Sequence, residues 1–520
     1  MSSSQTTPVG GEKNSYKILA YIIGFVCIGV FLVFRFLFIS EPAGNDESLY
    51  YYAGAKVLDW GKPYFDYYEM KPPMMFYSYA LTVLMAGFTV KGMHVAGIII
   101  SLLTSVLVFL ILKRKYTLPI SFMSSAIWLL AFSSPMVYGT YLMSEHFVVL
   151  YTSIALFFVM FRDLSFRQIL LGGIFMGAAI LVKQSAIVLF PAFIYLISRG
   201  PLKWKNLVAF ASGLAIIVGI NFLTILLAGT LSEARYWLFT FPGEYVSTTT
   251  FAQGMNNLKM FGSGIMRIDT FFWTLIIFST IACIYSFKKK DSIFALLMLS
   301  GAFAAIFPGL RFYPQYWLLI IFAAAFSLPI LFDLVKNYKL SSRVFLLILA
   351  GISVHFMMRR DLYFPEIGKN TGNKYMVGQY LERSKQFSRQ LNQVLENDDE
   401  LLVLGSIPQL YLYTGKKSPI RHVWTSMLSL KTQKNKKMQE ELIASITADK
   451  PEYVVFSFSP MHWNLRDSQG DYLYNATYRF VNRNYSKIGV MDLETGTYIS
   501  GPDAAATPDR INTYALYKKI

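Results

Sequence analysis

The feature that most constrains this chain is a series of apolar runs between residues 17 and 358, separated by short basic loops. Twelve can be delimited, at 17–39, 74–90, 93–112, 118–135, 140–161, 168–182, 184–198, 207–229, 270–287, 292–307, 314–335 and 343–358. An α-helix needs about 20 apolar residues to cross a hydrocarbon core roughly 30 Å thick, so such runs predict transmembrane helices. Only 15% of the residues are charged, against roughly 25% in soluble chains. From Arg359 onward no run is long enough to span, which predicts a separate water-soluble domain over 359–520.

The formal net charge of +17 would suit a nucleic-acid partner, but its distribution argues against one. The basic clusters are Lys113-Arg114-Lys115, Arg162 with Arg167, Arg199 with Lys203 and Lys205, Lys288-Lys289-Lys290, and Lys336, Lys339 and Arg343. Lys13 and Lys17 flank the first run. Positive charge in short connections marks cytoplasmic loops. If all twelve runs crossed, the loop at 113–115 and those after it would fall outside. If 74–90 instead lies along the outer surface, or dips in and returns, every cluster falls inside. Pro72-Pro73 and Gly87 suit such a short interfacial helix.

The expectation is therefore a polytopic α-helical membrane protein of about 11 spans (11–13); 168–198, with Lys183 at its middle, also reads as one long helix, which would break the parity. Its amino terminus lies in the cytoplasm, its carboxyl terminus outside, and its setting is a bacterial cytoplasmic membrane. Residues 1–16 are small and polar, and are expected to be disordered. The membrane domain covers 17–358, with a first outer loop at 41–92 carrying interfacial helices and a second at 230–269. Cys27 and Cys283 both lie inside apolar runs and read as core packing.

The tail alternates helix and strand patterns, which predicts a small α/β domain. Asn373–Glu396 and Met438–Ile446 have helical spacing; Leu401–Leu404, Tyr453–Phe458, Tyr485–Met491 and Thr513–Tyr517 read as strands. It has no glycine-rich phosphate loop, and the chain has no internal repeat. Asn475-Ala476-Thr477 is an N-glycosylation sequon, relevant only in a host that uses it.

Chemistry is expected first in the polar stretch Glu41–Pro73, which carries Asp46, Glu47, Asp59, Asp66, Glu69, Lys56, Lys62 and Lys71 among many tyrosines. Asn45-Asp46-Glu47 opens a helical pattern. Asn45 or Asp46 reads equally as an N-cap or, for Asp46, as a carboxylate able to take a proton from an acceptor hydroxyl. Lys71, ahead of two prolines, is either an interfacial lysine reaching headgroups or a contact for a lipid phosphate. Ser144-Glu145-His146 places ionisable groups in an apolar run, where they usually face a cavity or a partner. Glu145 suits a divalent cation, an acceptor, or the anchoring of the Asp46 loop, although one Glu and one His do not make a metal site. Lys183-Gln184 follows Gly172-Gly173 and Gly177, which permit close helix packing. Arg311 in Arg311-Phe312-Tyr313-Pro314-Gln315-Tyr316 offers a planar fork suited to phosphate. By the inferred topology all these groups reach the outer face, and Asp46, Lys71, Glu145 and Arg311 are expected to converge in one hollow there.

The order Asn45-Asp46-Glu47, Tyr51, Gly54, Gly61-Lys62-Pro63-Tyr64, Lys71-Pro72-Pro73 resembles the first outer loop of GT-C glycosyltransferases. The protein O-mannosyltransferase group and the bacterial lipid A aminoarabinose transferases are the most similar. Ser144-Glu145, Lys183-Gln184 and Arg311–Tyr316 resemble later landmarks of that superfamily, and the resemblance covers roughly residues 17–360. It implies transfer of a sugar from a polyprenyl phosphate to an acceptor outside the cytoplasm, typically with inversion. It implies Asp46 as catalytic base, with Glu47 and Glu145 as acidic partners, and Lys71, Lys183 and Arg311 as lipid-phosphate contacts. Tyr50, Tyr51, Glu69, His146, Gln184, Tyr313 and Gln315 are further candidate substrate contacts. Met70 separates Glu69 from Lys71, where some relatives have them adjacent, and His146 has no counterpart in the pattern. No cofactor is required, and a divalent cation is compatible. The partners implied are a polyprenyl-phosphate sugar donor, membrane lipid and a glycan, lipid or protein acceptor. Rival readings are a transporter or lipid flippase, a polysaccharide ligase or polymerase, and a membrane-anchored binding protein whose tail does the work.

Overall fold

The computed structural model describes residues 12–160, 165–198, 203–336, 341–364, 380–430, 432, 434–465 and 468–520. Residues 1–11 of the segment expected to be disordered, Arg162, Arg199 and Lys339 of the basic loops, and 373–379 of the expected tail helix lie outside the described residues.

The apolar runs fold as helices, in the order α1 (Glu12–Leu37), α2 (Asn45–Leu58), α3 (Met74–Ala86), α4 (Val90–Leu112), α5 (Leu118–Phe132), α6 (Ser144–Val159), α7 (Phe166–Val182), α8 (Phe190–Ile197) and α9 (Lys203–Ala228). Short helical pieces fill 231–268, and α10 (Thr270–Tyr285), α11 (Lys290–Ala304), α12 (Leu318–Val335) and α13 (Ser341–Met358) follow. Five helical segments among the described residues are long and apolar enough to cross a membrane: Ser15–Ser40, Val90–Leu112, Lys203–Ala228, Pro314–Val335 and Ser341–Met358. A sixth arises if Phe251–Ile268 and Thr270–Tyr285, bent by 95° at Asp269, count as one. At 13 residues, α3 is among the shorter apolar helices; a helix of that length runs about 20 Å, less than the hydrocarbon core.

The chain forms two compact units that interleave along the sequence. The first comprises residues 1–38, 96–222 and 249–367. Helix packing within it relies on small residues: a Cβ on Gly173 of α7 would come within 2.1 Å of the Phe210 carbonyl oxygen on α9. Such close backbone approach suits a bilayer, where burial from water drives little association. Lys183 breaks the 168–198 segment: its backbone is extended (φ −153°, ψ 121°), and a 3₁₀ turn, Gln184–Leu189, leads into α8.

The second unit comprises 39–95, 223–248 and 368–520. It contains α14 (Tyr380–Val394), α15 (Gln409–Thr414), α16 (Asn435–Ala448) and α17 (Ser468–Asn484). Its sheet has strands β1 (Leu401–Leu404), β2 (Tyr453–Ser457), β3 (Tyr485–Asp492), β4 (Tyr498–Ser500) and β5 (Thr513–Lys519), in the order β1-β2-β5-β3-β4. Among the described strands of this sheet only β1 and β2 pair in parallel, across a connection containing α15 and α16, as a parallel pair requires. The polar stretch 41–73 packs on this sheet domain. The Ser418 N–H donates to the Tyr52 hydroxyl at 3.0 Å, the Ala43 N–H to the Tyr413 hydroxyl at 2.9 Å, and Tyr68 meets His422 Nδ1 at 2.7 Å. The Tyr68 ring also stacks on Trp237 at 4.6 Å.

Candidate active site

In the second unit, Gly44 is the N-cap of α2, not Asn45 or Asp46. With no side chain at the cap, Glu47 reaches back and its Oε1 accepts the Gly44 N–H at 2.9 Å, half of a capping box. Asp46 therefore sits in the first helical turn, half-buried, where the helix dipole favours negative charge. Tyr50 follows four residues later, on the same face. Its hydroxyl accepts from Lys71 Nζ at 2.6 Å, and the ammonium lies 4.3 Å from its ring centre. Glu69 completes the group, with Oε1 3.4 Å from the ammonium. The Lys71 and Glu69 side chains are 9% and 5% exposed, so the pair is held away from bulk solvent. Pro72 and Pro73 follow directly, starting α3, and the Lys71 carbonyl accepts the Tyr64 hydroxyl at 2.9 Å. Asp46 and Tyr50 thus share one face of α2, and Lys71, paired with Glu69, packs against Tyr50. Tyr51 points elsewhere: its hydroxyl donates to the Gly87 carbonyl at 2.7 Å, and its ring stacks on Phe88.

A cluster of the same composition occurs in the first unit. Glu145 lies buried in the first turn of α6. Its Oε1 accepts from Lys183 Nζ, and its Oε2 from Ser144 Oγ at 3.0 Å. The Lys183 ammonium also stands 3.9 Å from the centre of the Tyr316 ring, a cation–π contact. The break in the α7–α8 segment is what brings this lysine to Glu145. Tyr313 packs edge-on to Tyr316 at 5.8 Å and to Phe261 at 6.0 Å. Arg311 lies in the same loop, whose neighbours Gly309, Leu310 and Phe312 all have positive φ (71°, 51° and 51°). Gln315 is buried there, and Gln184 is exposed at the start of its 3₁₀ turn. His146 turns away from Glu145 and donates from Nε2 to the Gly139 carbonyl at 3.3 Å.

Several polar residues were not anticipated. Arg35, 1% exposed in α1, donates to the same Gly139 carbonyl at 2.8 Å. Asp269, at the 95° break, accepts from Ser134 at 2.5 Å and from Tyr363 at 2.8 Å, with His355 Nε2 at 3.7 Å. His94 contacts Glu47 at 3.3 Å. A charge inside an apolar run would have flagged Arg35; the others are defined by contacts distant in sequence. No group of three or more His, Cys, Asp or Glu among the described residues is arranged to hold a metal ion.

Residues 70–226 match the sequence family described as dolichyl-phosphate-mannose-protein mannosyltransferase. ArnT from Cupriavidus metallidurans in the apo state is similar over 95% of this chain and 97% of its own, with 13% identity and a TM-score of 0.55. The structure of that protein bound to undecaprenyl phosphate is similar over 96% and 98%, with 13% identity and a TM-score of 0.57. The fold is that of ArnT. The likeness runs through the carboxyl-terminal sheet domain, since it covers almost the whole chain. No curated protein matches the chain in sequence.

Proposed function

We propose that this protein is an integral-membrane glycosyltransferase that moves a sugar from a polyprenyl-phosphate donor to an acceptor hydroxyl on the extracytoplasmic face, with inversion. The observation that carries this reading is the alignment of Asp46 and Tyr50 on one face of α2, with the Lys71 ammonium bound to Tyr50. That face offers a carboxylate for a proton and a screened cation for a phosphate. The solved relative bound to undecaprenyl phosphate supports the donor class.

In the proposed step the acceptor oxygen attacks the anomeric carbon from the face opposite the phosphate. The carbon–oxygen bond to phosphate breaks, and its electron pair leaves on the lipid phosphate. Asp46 takes the hydroxyl proton late in the step, when that oxygen has become acidic. Lys71 balances the charge that grows on the leaving phosphate; Lys183 and Arg311 are the further residues proposed to bind lipid phosphate. Lys71 and Lys183 each already pair with a carboxylate, Glu69 and Glu145. A phosphate entering either cluster competes with that carboxylate, which holds the ammonium in place until the donor arrives. Glu47 supports the first turn of α2, and Glu145 is the second acidic partner. The proposed topology keeps about 11 spans, a cytoplasmic amino terminus and an outer 359–520 domain, supported by the basic loops.

The direct test is to incubate purified protein with a panel of polyprenyl-phosphate sugars and assay bare lipid phosphate. Acceptor-dependent release from at least one donor is expected. Vectorial movement of intact lipid without cleavage would favour the transporter reading instead.

A further inference from the structure

Resting on the reading of Asp46 as base, we infer that His94 is a positioning residue: as an imidazolium it clamps the segment 39–47 and so fixes the first turn of the helix that presents Asp46. His94 lies in the second turn of α4 and is 3% exposed. Its Nδ1 is 3.1 Å from the Ile39 carbonyl oxygen, and its Nε2 is 3.3 Å from Glu47 Oε1. Glu47 is fully buried, and the same Oε1 accepts the Gly44 N–H. One ring thus ties the chain before the turn, at Ile39, to the turn itself, at Glu47 and through it Gly44. Asp46 lies between the last two.

The protonation state follows from the partners. A carbonyl oxygen only accepts, so Nδ1 carries hydrogen. Nε2 faces a carboxylate oxygen that is already accepting a backbone N–H, so it must donate as well. A ring donating at both nitrogens is an imidazolium. The other charged groups around it are Glu41, whose carboxyl is raised mainly by burial, with Lys385 and Glu382 beside it. Lys385 of α14 also donates to the Ser40 carbonyl, and Tyr413 of α15 holds the Ala43 N–H. The segment is therefore pinned from the sheet domain as well as from α4. His94 is the member of this set that ties the chain before the turn to the turn itself. Without its two contacts the first turn of α2 loses its hold on α4, so turnover falls while donor affinity, set at Lys71, does not.

Two measurements test this. The first compares kcat and donor KM for the wild type, His94→Gln and His94→Lys. Gln donates to Glu47 but offers Ile39 no second ring donor. His94→Gln is expected to lower kcat about 10–100-fold, the scale of a small misplacement of a reacting group, with donor KM within about twofold. His94→Lys, which also presents a cation to Glu47, is expected to recover part of kcat. A His94→Gln variant with wild-type kcat, or one altered only in KM, overturns the proposal. The second measurement is independent of the reaction: ¹⁵N spectra of histidine-labelled protein, with the His94 signals identified by their loss in His94→Gln. Both nitrogens protonated at pH 7 supports the clamp, and one bare nitrogen overturns it. If Asp46→Asn keeps its activity, the base assignment fails, while these spectra still decide the state of His94.

Discussion

The Lys71 ammonium donates to the Tyr50 hydroxyl at 2.6 Å and lies within reach of the Glu69 carboxylate at 3.4 Å. A buried cation held this way is ready to exchange one anionic partner for another. Lys71→Ala is expected to raise donor KM at least about tenfold, the order of one charge-assisted hydrogen bond. Tyr50→Phe, which removes one neutral acceptor, should cost about 1 kcal/mol. Steady-state kinetics with a saturating acceptor checks both. Equal losses from the two changes would show that the lysine matters only through Tyr50.

Glu145 and Lys183 should behave as one unit. Removing one member of a buried pair strands the other, at about 3–5 kcal/mol. Thermal unfolding in detergent is therefore expected to show the double variant less destabilised than the sum of Glu145→Gln and Lys183→Met, with a coupling of about 0.5–3 kcal/mol. Simple additivity would mean the two side chains do not interact in solution.

The carboxyl-terminal domain should lose stability in acid. Burial holds His462 at about 4 and lowers His422 as well. The unfolded chain takes up protons near 6.5 while the folded rings do not, so stability falls as pH drops below that value. For His462 the loss is complete near pH 4 and amounts to about 3 kcal/mol. Glu441 adds to the trend: hydrogen bonds from His422 and then Arg421 hold it at about 2. Its contribution is present above the ordinary carboxylate range and disappears as pH falls toward 2. The midpoint of unfolding, followed between pH 7 and 4, should decline, and His462→Asn should flatten the decline. A midpoint independent of pH would contradict this.

Gly54 has a packing role that any side chain would violate. A Cβ there would fall 2.6 Å from the Tyr79 carbonyl carbon and 2.7 Å from the Ala80 nitrogen, both backbone atoms of α3. Gly54→Val should force α2 and α3 apart, cost about 1–3 kcal/mol and disturb Asp46 and Tyr50 together. Wild-type activity and unfolding temperature in this variant would refute the close approach.

Local patterns were the legible part of this chain. The runs Leu401–Leu404 and Tyr453–Ser457 form the adjacent, fully buried strands β1 and β2, because short apolar runs bounded by turn residues suit buried strands. A lysine inside an apolar segment marked the break at residue 183. The helix start at 45 was legible, but its cap was not: a glycine N-cap works here only because Glu47 supplies the missing acceptor from within the helix. Long-range polar contacts were the least legible. His94 and Glu47 are 47 residues apart, and Tyr68 and His422 are 354 apart. Neither pair has a spacing rule, since both depend on which surfaces the fold brings together. Arg35 was readable in principle as a charge in an apolar run, yet its contact with the Gly139 carbonyl, 104 residues away, was not.

The central claim is that Asp46 removes the acceptor proton during sugar transfer from a lipid phosphate. Single-turnover transfer by Asp46→Asn, measured beside equilibrium binding of the donor, tests it most directly. The account predicts a rate at least about 100-fold below wild type, the scale of general-base catalysis, with donor binding unchanged. Transfer at close to the wild-type rate by a folded Asp46→Asn protein would contradict it.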